Sequence, residues 1–450
     1  MSSKRPNILF IFSDQQRWDT CGCYGQPLDI TPNLDRMASE GVRFENAFTC
    51  QPVCGPARAC LQTGKYATEV GCHTNHRLLP LDEKTIAHYL KDYGYDTAYI
   101  GKWHLASFGT READNFRDRP VPPERRGGYD YWLASDVLEF TSHGYDGHMF
   151  DGDGKKREFP EGRYRADAQT DWVLEYLDSR KGADKPFFLF TSYIEPHHQN
   201  DHNCYEGPHG SKEKFKDFEV PGDLVDTDGD WREEYPDYLG CINSLDQNLG
   251  RIRDKLETLG IADNTLVIYT SDHGSHFCTR NGEYKRSCHD GCIRVPMILH
   301  GPGFDGGEVR RDLVSLIDLP PTILNAAAPP TDDRLCPQQT MRGRALQELV
   351  SDNAPDWPEE VFLQISEDHC GRAIRTQKWK YSVRAPEKTG QDADSDIYVE
   401  DFLYDLEADP HERNNLVADP SLAPVRAELE ETLKRRMVEA GEKAPEIKSA

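Results

Sequence analysis

Cys54-Gly-Pro-Ala-Arg58 sets a thiol four residues before a guanidinium, in a run that continues Ala-Cys-Leu-Gln-Thr63-Gly64. Pro56 suits the first turn of a helix, which would present the Cys54 side chain and free backbone N–H groups where an anion is favoured. Arg58, one turn on, would add a fixed fork of donors to that anion. A buried structural cysteine at a helix start is the bland alternative, and Cys60 and Cys72 are expected to be of that kind. Two other pairs carry ligand chemistry: Asp14-Gln15 directly follows one apolar run, and Asp272-His273-Gly274 directly follows another. Strand ends that gather on one rim of a parallel sheet would bring these oxygen and nitrogen groups together. Taken singly, an aspartate there is as readily a turn former or helix cap.

Such convergence needs strands that end on one side of the molecule. Runs rich in β-branched and aromatic residues at 8–12, 97–100, 187–193, 265–270 and 295–299 predict strands. Between them, 32–40, 81–93, 166–178 and 237–259 show apolar residues at three-to-four spacing and predict helices. Strand alternating with helix predicts an α/β fold, a large, mostly parallel sheet sandwiched by helices. The pattern breaks over 326–358, with Ala-Ala-Ala-Pro-Pro, Cys336-Pro337 and an acidic proline-rich stretch; strand-like runs at 361–365 and 379–383 and a charged helical pattern at 422–439 follow. We therefore expect a catalytic domain over 1–350 and a smaller C-terminal α+β subdomain over 351–450, with a short antiparallel sheet.

The 450 residues are 37% apolar and 29% charged, which fits a folded globular chain rather than a disordered, collagenous or coiled-coil one. Lys and Arg total 53 against 78 Asp and Glu, a formal net charge of −25. A field of that sign repels phosphate backbones and anionic headgroups, so neither nucleic acid nor membrane is an expected partner. The 13 cysteines are odd in number and scattered, as free thiols of a reducing compartment would be. Only Met-Ser-Ser-Lys-Arg-Pro precedes the first apolar run, with no signal peptide visible, and the expected location is the cytoplasm.

Cys54-x-Pro-Ala-Arg58 with Thr63-Gly64 behind it resembles the signature of type I, formylglycine-dependent sulfatases, within the alkaline phosphatase superfamily. The resemblance runs over nearly the whole chain, because further landmarks occur in order: Gly101-Lys102-Trp103-His104-Leu105, Glu195-Pro196-His197, Lys285 ahead of Asp290-Gly-Cys-Ile-Arg-Val-Pro296, and Leu403-Tyr-Asp-Leu406 near the end. It implies an alkaline phosphatase-like fold and hydrolysis of a sulfate ester; the polar and ring-stacking residues around the site blocks, Tyr193, Glu195, His198, Asp201, His202 and Arg280, point to a sulfated carbohydrate, cleaved in exo fashion. It also implies that a maturase oxidises Cys54 to formylglycine. Asp14, Gln15, Cys54, Asp272 and His273 would hold a divalent metal. Arg58, Lys102 and Lys285 would hold the sulfate oxygens, since a poorly electrophilic anion needs cations around it. A hydrated aldehyde carries two hydroxyls on one carbon: one attacks sulfur, and the other later expels sulfate as the carbonyl re-forms. His197 would protonate the leaving oxygen, and His104 would take the remaining hydroxyl proton. On their own, Lys102 packed on Trp103 and either histidine in the core would be ordinary; the family order is what assigns them.

Gln15 and His273 depart from the second aspartate and the asparagine of many relatives. One imidazole among oxygen ligands softens the site, so calcium is expected, with manganese or another divalent ion open. The same Asp, Gln, Asp, His set resembles phosphonate monoester hydrolases, which makes phosphonate or phosphate ester hydrolysis the alternative activity. The Lys102 to His104 block speaks against it. A non-catalytic binder of sulfated glycans is the third reading. His198, Asp201, His202 and Arg280 are substrate-pocket candidates, with Tyr193 and Glu195 nearby. The loops 110–154 and 200–230 are expected to choose the sugar and the sulfated position, which no motif identifies.

Overall fold

The computed structural model describes residues 5–109, 115–328 and 340–450. The Cys336-Pro337 break falls outside them. Eleven strands make the main sheet: β1 (Asn7–Ser13), β2 (Val42–Phe48), β3 (Asp96–Lys102), β4 (Tyr131–Ser135), β5 (Ser142–His143), β6 (Asp146–Asp151), β7 (Lys156–Glu158), β8 (Phe187–Ser192), β9 (Thr265–Ser271), β10 (Met297–His300) and β11 (Glu308–Ser315). Their order is β11-β2-β10-β9-β1-β8-β3-β4-β6-β5, with β7 on β6. The central run β9-β1-β8-β3-β4 is parallel throughout, so its carboxyl ends share one rim. β10 and β6 run antiparallel to their neighbours.

Residues of β1 alternate between two cores. Ile8, Phe10 and Phe12 face one, which the helices Cys54–Thr63, Ile86–Asp92 and Leu319–Ala327 cover. Leu9 and Ile11 face the other, under the helices Pro32–Glu40, Arg165–Ser179 and Trp231–Thr258. Such burial on both faces is why these strands read as unbroken apolar runs. Phe10 stacks on Phe190 with centroids 4.6 Å apart, and truncation of one such ring typically costs about 3–5 kcal/mol.

The helix expected at 81–93 begins only at Ile86, because Thr85 and His88 form a reciprocal cap there. The helix expected from 237 begins at Trp231 and continues through Pro236. β2, β4 and β11 were not anticipated; Val-Arg-Phe-Glu-Asn-Ala-Phe and Glu-Val-Arg-Arg-Asp-Leu-Val-Ser mix charge into the strand and mask its period.

A second sheet follows: β12 (Glu360–Ile365), β13 (Gly371–Thr376), β14 (Trp379–Arg384), β15 (Ile397–Asp405) and β16 (Glu446–Lys448). Its first four strands are antiparallel, and β16 closes the edge in parallel with β15. Leu429, Leu433 and Met437 of the helix Ala423–Glu439 join Phe362 and Ile374 in the same core cluster as Phe10 and Tyr66. Buried Lys380 bridges Asp290 at the main sheet and Glu412 in the C-terminal segment.

Candidate active site

Four strand ends and one helix start deliver the site residues. β1 runs into Asp14 and Gln15, β9 into Asp272 and His273, β3 ends on Lys102 two residues before His104, and β8 leads on to His197. The helix Cys54–Thr63 starts at Cys54 itself. The thiol lies 3.3 Å from Asp14 Oδ1 and 3.2 Å from His273 Nε2, and it accepts Lys285 Nζ at 2.8 Å. Asp14 Oδ2 receives Arg58 at 2.9 Å and Lys102 at 2.8 Å. Arg58 spreads its fork further, to the Lys102 carbonyl at 2.9 Å and Ser192 Oγ at 2.7 Å. Lys285 Nζ also faces His197 Nε2 at 3.3 Å. The structure thus brings Cys54, Arg58, Lys102, His197 and Lys285 to one point with Asp14, Asp272 and His273. His104 is buried against the same segment, with neither ring nitrogen engaged.

The electrostatics follow from burial. Burial alone would raise Asp14, but Lys102, Arg58 and Lys285 outweigh it and hold the carboxyl well below its usual range. Burial and the charge of Asp14 push its neighbour Asp272 up to about 7. Burial, then Asp14, pushes the Cys54 thiol up to about 12, despite the opposing charge of Lys285. An unmodified thiol so placed is almost wholly protonated at neutral pH and a poor nucleophile. Burial and the neighbouring lysines also hold His104, His197 and His273 well below the usual histidine value, so their rings are neutral.

These residues fit a divalent cation. One ligand atom each of Asp14, Cys54, Asp272 and His273 lie within 4.8 Å of one another. His273 donates Nδ1–H to the Gly274 carbonyl at 2.8 Å, which turns the Nε2 lone pair to the cluster. Gln15 gives its amide N–H to Tyr205 Oη at 2.7 Å, and its Oε1 is buried without a hydrogen-bond partner; Asp272 Oδ2 likewise has no hydrogen bond and only a longer ion pair to Arg58 at 3.6 Å. Orphaned buried acceptors of this kind need a cation or a donor.

Other expectations need correction. The helix start does not offer its N–H groups freely: Asn75 Oδ1 takes that of Gly55 at 2.9 Å, Pro56 has none, and Ala57 bonds to the Val53 carbonyl at 3.0 Å. None of the four pocket candidates bonds to Asp14, Cys54, Asp272 or His273. His198 packs on Tyr284 and accepts its hydroxyl at 2.8 Å. Asp201 and His202 sit with His143 at the surface. Arg280 spends its fork on the carbonyls of His411 and Glu412, bracing the C-terminal segment. Tyr193 bonds to Thr170, and Glu195 pairs with Arg165 at 2.8 Å. Glu139, by contrast, was missed: it lies 3.4 Å from Lys102 Nζ and 3.8 Å from His197 Nδ1. Its position just beyond β4 would have been the signal, had that strand been read. Asn75 and Glu367, which position Gly55, belong to no motif.

The "Sulfatase" family model matches residues 6–329, and that of the N-sulphoglucosamine sulphohydrolase C-terminal region matches 282–439. The chain belongs to the sulfatase family, within the alkaline phosphatase superfamily, whose members typically carry a formylglycine and a divalent metal. An ulvan-active sulfatase of Formosa agariphila is 31% identical over 97% of this chain and 82% of its own. The N-acetylglucosamine-6-O-sulfatase of Bacteroides thetaiotaomicron is 26% identical over 99% and 88%. The solved structure of yidJ from Bacteroides fragilis superimposes with a TM-score of 0.80 at 27% identity, covering 97% of this chain and 96% of that one.

Proposed function

We propose that the protein removes sulfate from a sulfated carbohydrate, with Cys54, once converted to formylglycine by a maturase, as the attacking residue. The observation that carries this reading is the setting of Cys54: a thiol pushed up to about 12, hence inert as it stands, among three cations and three other metal-competent side chains. The names of the relatives support the carbohydrate, since two of them are an ulvan-active sulfatase and an N-acetylglucosamine-6-O-sulfatase. Asp14, Gln15, Asp272 and His273 would hold a divalent ion, calcium first, which would add positive charge beside the nucleophile and the sulfate.

Arg58, Lys102 and Lys285 hold the sulfate oxygens and neutralise charge as the S–O bond breaks. His197 delivers a proton to the departing sugar oxygen. Burial and then two lysines keep its ring neutral in the free site, and the negative charge of an incoming sulfate offsets the lysines and lets Nε2 take that proton. Glu139, beside Nδ1, steadies the resulting cation. His104, neutral with both nitrogens free, takes the hydroxyl proton in the step that releases sulfate.

The test is a mass spectrum of the tryptic peptide 44–58, in which Cys50 is an unmodified control, followed by hydrolysis assays after chelation and metal return. We expect an aldehyde at Cys54 and hydrolysis of 4-nitrophenyl sulfate that calcium restores better than manganese. Protein that carries the aldehyde and the metal but cleaves nothing in a panel of aryl and sugar sulfates overturns the reading. The role of His197 has its own check. His197→Ala should slow sugar sulfates by about 10²–10⁴-fold, yet nitrophenyl sulfate, whose leaving group needs little acid help, by less than about tenfold. Equal losses on both would remove the assignment.

A further inference from the structure

Beside the Cys54 cluster opens a cleft of about 450 Å³, lined among others by Asn75, His76, Arg77, Phe108, Arg286 and Glu367. It joins the cluster at two points. Asn75 holds the Gly55 N–H, and the His76 ring lies 5.8 Å from that of His104. No described residue of the expected specificity loops is among these walls.

The cleft backbone is strained. His76, Arg286 and Glu367 carry φ of 59°, 76° and 68°, and with Gln15 and His104 they make five of the eleven non-glycine residues of positive φ among the described residues. Such conformations are costly and gather where a ligand is clamped.

The charges in the cleft are unequal. Glu367 is already satisfied, by Arg286 at 2.8 Å and by the Asn75 N–H at 2.6 Å. Arg77 donates Nε–H to Thr74 Oγ1 at 3.2 Å and lies 5.7 Å above the Phe108 ring. Its terminal N–H groups have neither a hydrogen-bond partner nor an ion pair among the described residues. His76 Nδ1 is likewise buried and unpartnered. Arg286 is held by Glu283 at 3.0 Å as well as by Glu367, which leaves Arg77 as the lining guanidinium with no acidic partner among the described residues, on a chain of net charge −25. A neutral sugar seated there would strip water from the Arg77 fork and return only weak hydrogen bonds, whereas a carboxylate or sulfate matches it with two charge-assisted ones.

We propose that this cleft receives the sugar that loses its sulfate, and that Arg77 pairs with a second acidic group on that sugar or its neighbour, so that the enzyme selects doubly acidic saccharides. The inference rests on the sulfate-ester hydrolase reading above.

Competition against 4-nitrophenyl sulfate tests it in the matured enzyme. One arm compares glucosamine 6-sulfate with glucosamine 2-N,6-O-disulfate, and the other a sulfated neutral disaccharide with its uronate-containing counterpart. In at least one arm the doubly acidic sugar should inhibit about tenfold or more better than its partner. That ratio should fall to near unity in Arg77→Gln and stay partial in Arg77→Lys, and the arm that responds says whether sulfate or carboxylate is read. A ratio near unity in both wild-type arms, or a preference that survives Arg77→Gln, overturns the proposal. Should Arg77→Gln fail to fold, raising the salt must shrink the wild-type ratio, and a salt-independent ratio counts against it equally. Failure of the matured, metal-loaded wild type on every aryl and sugar sulfate of the panel takes down the parent reading; hydrolysis without charge preference takes down this one alone.

Discussion

Cys54→Ala is expected to abolish hydrolysis of every sulfate ester, with a loss of about 10⁴-fold or more in kcat, while the folded state persists. The first part follows from removing the attacking residue, for which the remaining groups cannot substitute. The second follows from size: the thiol is 1% exposed in a polar cluster, and its loss leaves Lys285 one acceptor short but still within reach of His197. Cys54→Ser sharpens the experiment. A serine hydroxyl can take the sulfuryl group once, yet it has no second hydroxyl on the same carbon with which to expel it. One equivalent of alcohol per chain followed by arrest is the expected result, measured as a burst. Steady turnover by either variant would remove Cys54 from the chemistry.

Arg58→Ala should be less damaging to activity than Cys54→Ala and far more damaging to stability. Asp14 is fully buried, and its Oδ2 leans on Arg58 and Lys102 together. Removing one partner of a buried charge typically costs about 3–5 kcal/mol, because desolvation is no longer compensated. Losing a fixed donor to the developing negative charge typically costs about 10²–10³-fold in rate. Urea unfolding and kcat/KM on one aryl sulfate read both effects. Arg58→Lys should recover part of the stability but little activity, since a point charge cannot reach Asp14, Ser192 and the Lys102 carbonyl at once as the planar fork does. Full rescue by lysine would show that only charge matters there.

How much of this was legible beforehand depended on where the physics is local. β1, β3, β8 and β9 were visible because burial on both faces leaves an uninterrupted apolar run, and the Asp14-Gln15 and Asp272-His273 pairs came with two of their ends; Lys102, His104 and His197 were assigned through the family resemblance. β2 and β11 were not, since charged residues break their alternation. Glu139 went with unread β4. Asn75, Arg77, Arg286 and Glu367 come from three separated loops and meet only in the fold, so no spacing could announce the cleft. His198 and Arg280 were named because each lies close in sequence to a family motif; in the structure His198 accepts the Tyr284 hydroxyl and Arg280 braces the C-terminal carbonyls, contacts that no sequence spacing announces.

The near-complete burial of Cys54 also sets a clock. In the folded chain no outside catalyst can close around a side chain that is 1% exposed. On the proposed conversion to formylglycine, the modifying catalyst would have to act before the site folds, and Lys285, which bonds the thiol, lies 231 residues further along. At about 5–20 residues per second of synthesis, that separation would give the nascent chain roughly ten to fifty seconds in which the segment around Cys54 is out and Lys285 is not yet made. On that proposal, chains that fold ahead of conversion would stay in the thiol form until they unfold again, and the active fraction of a preparation would report the race between folding and conversion.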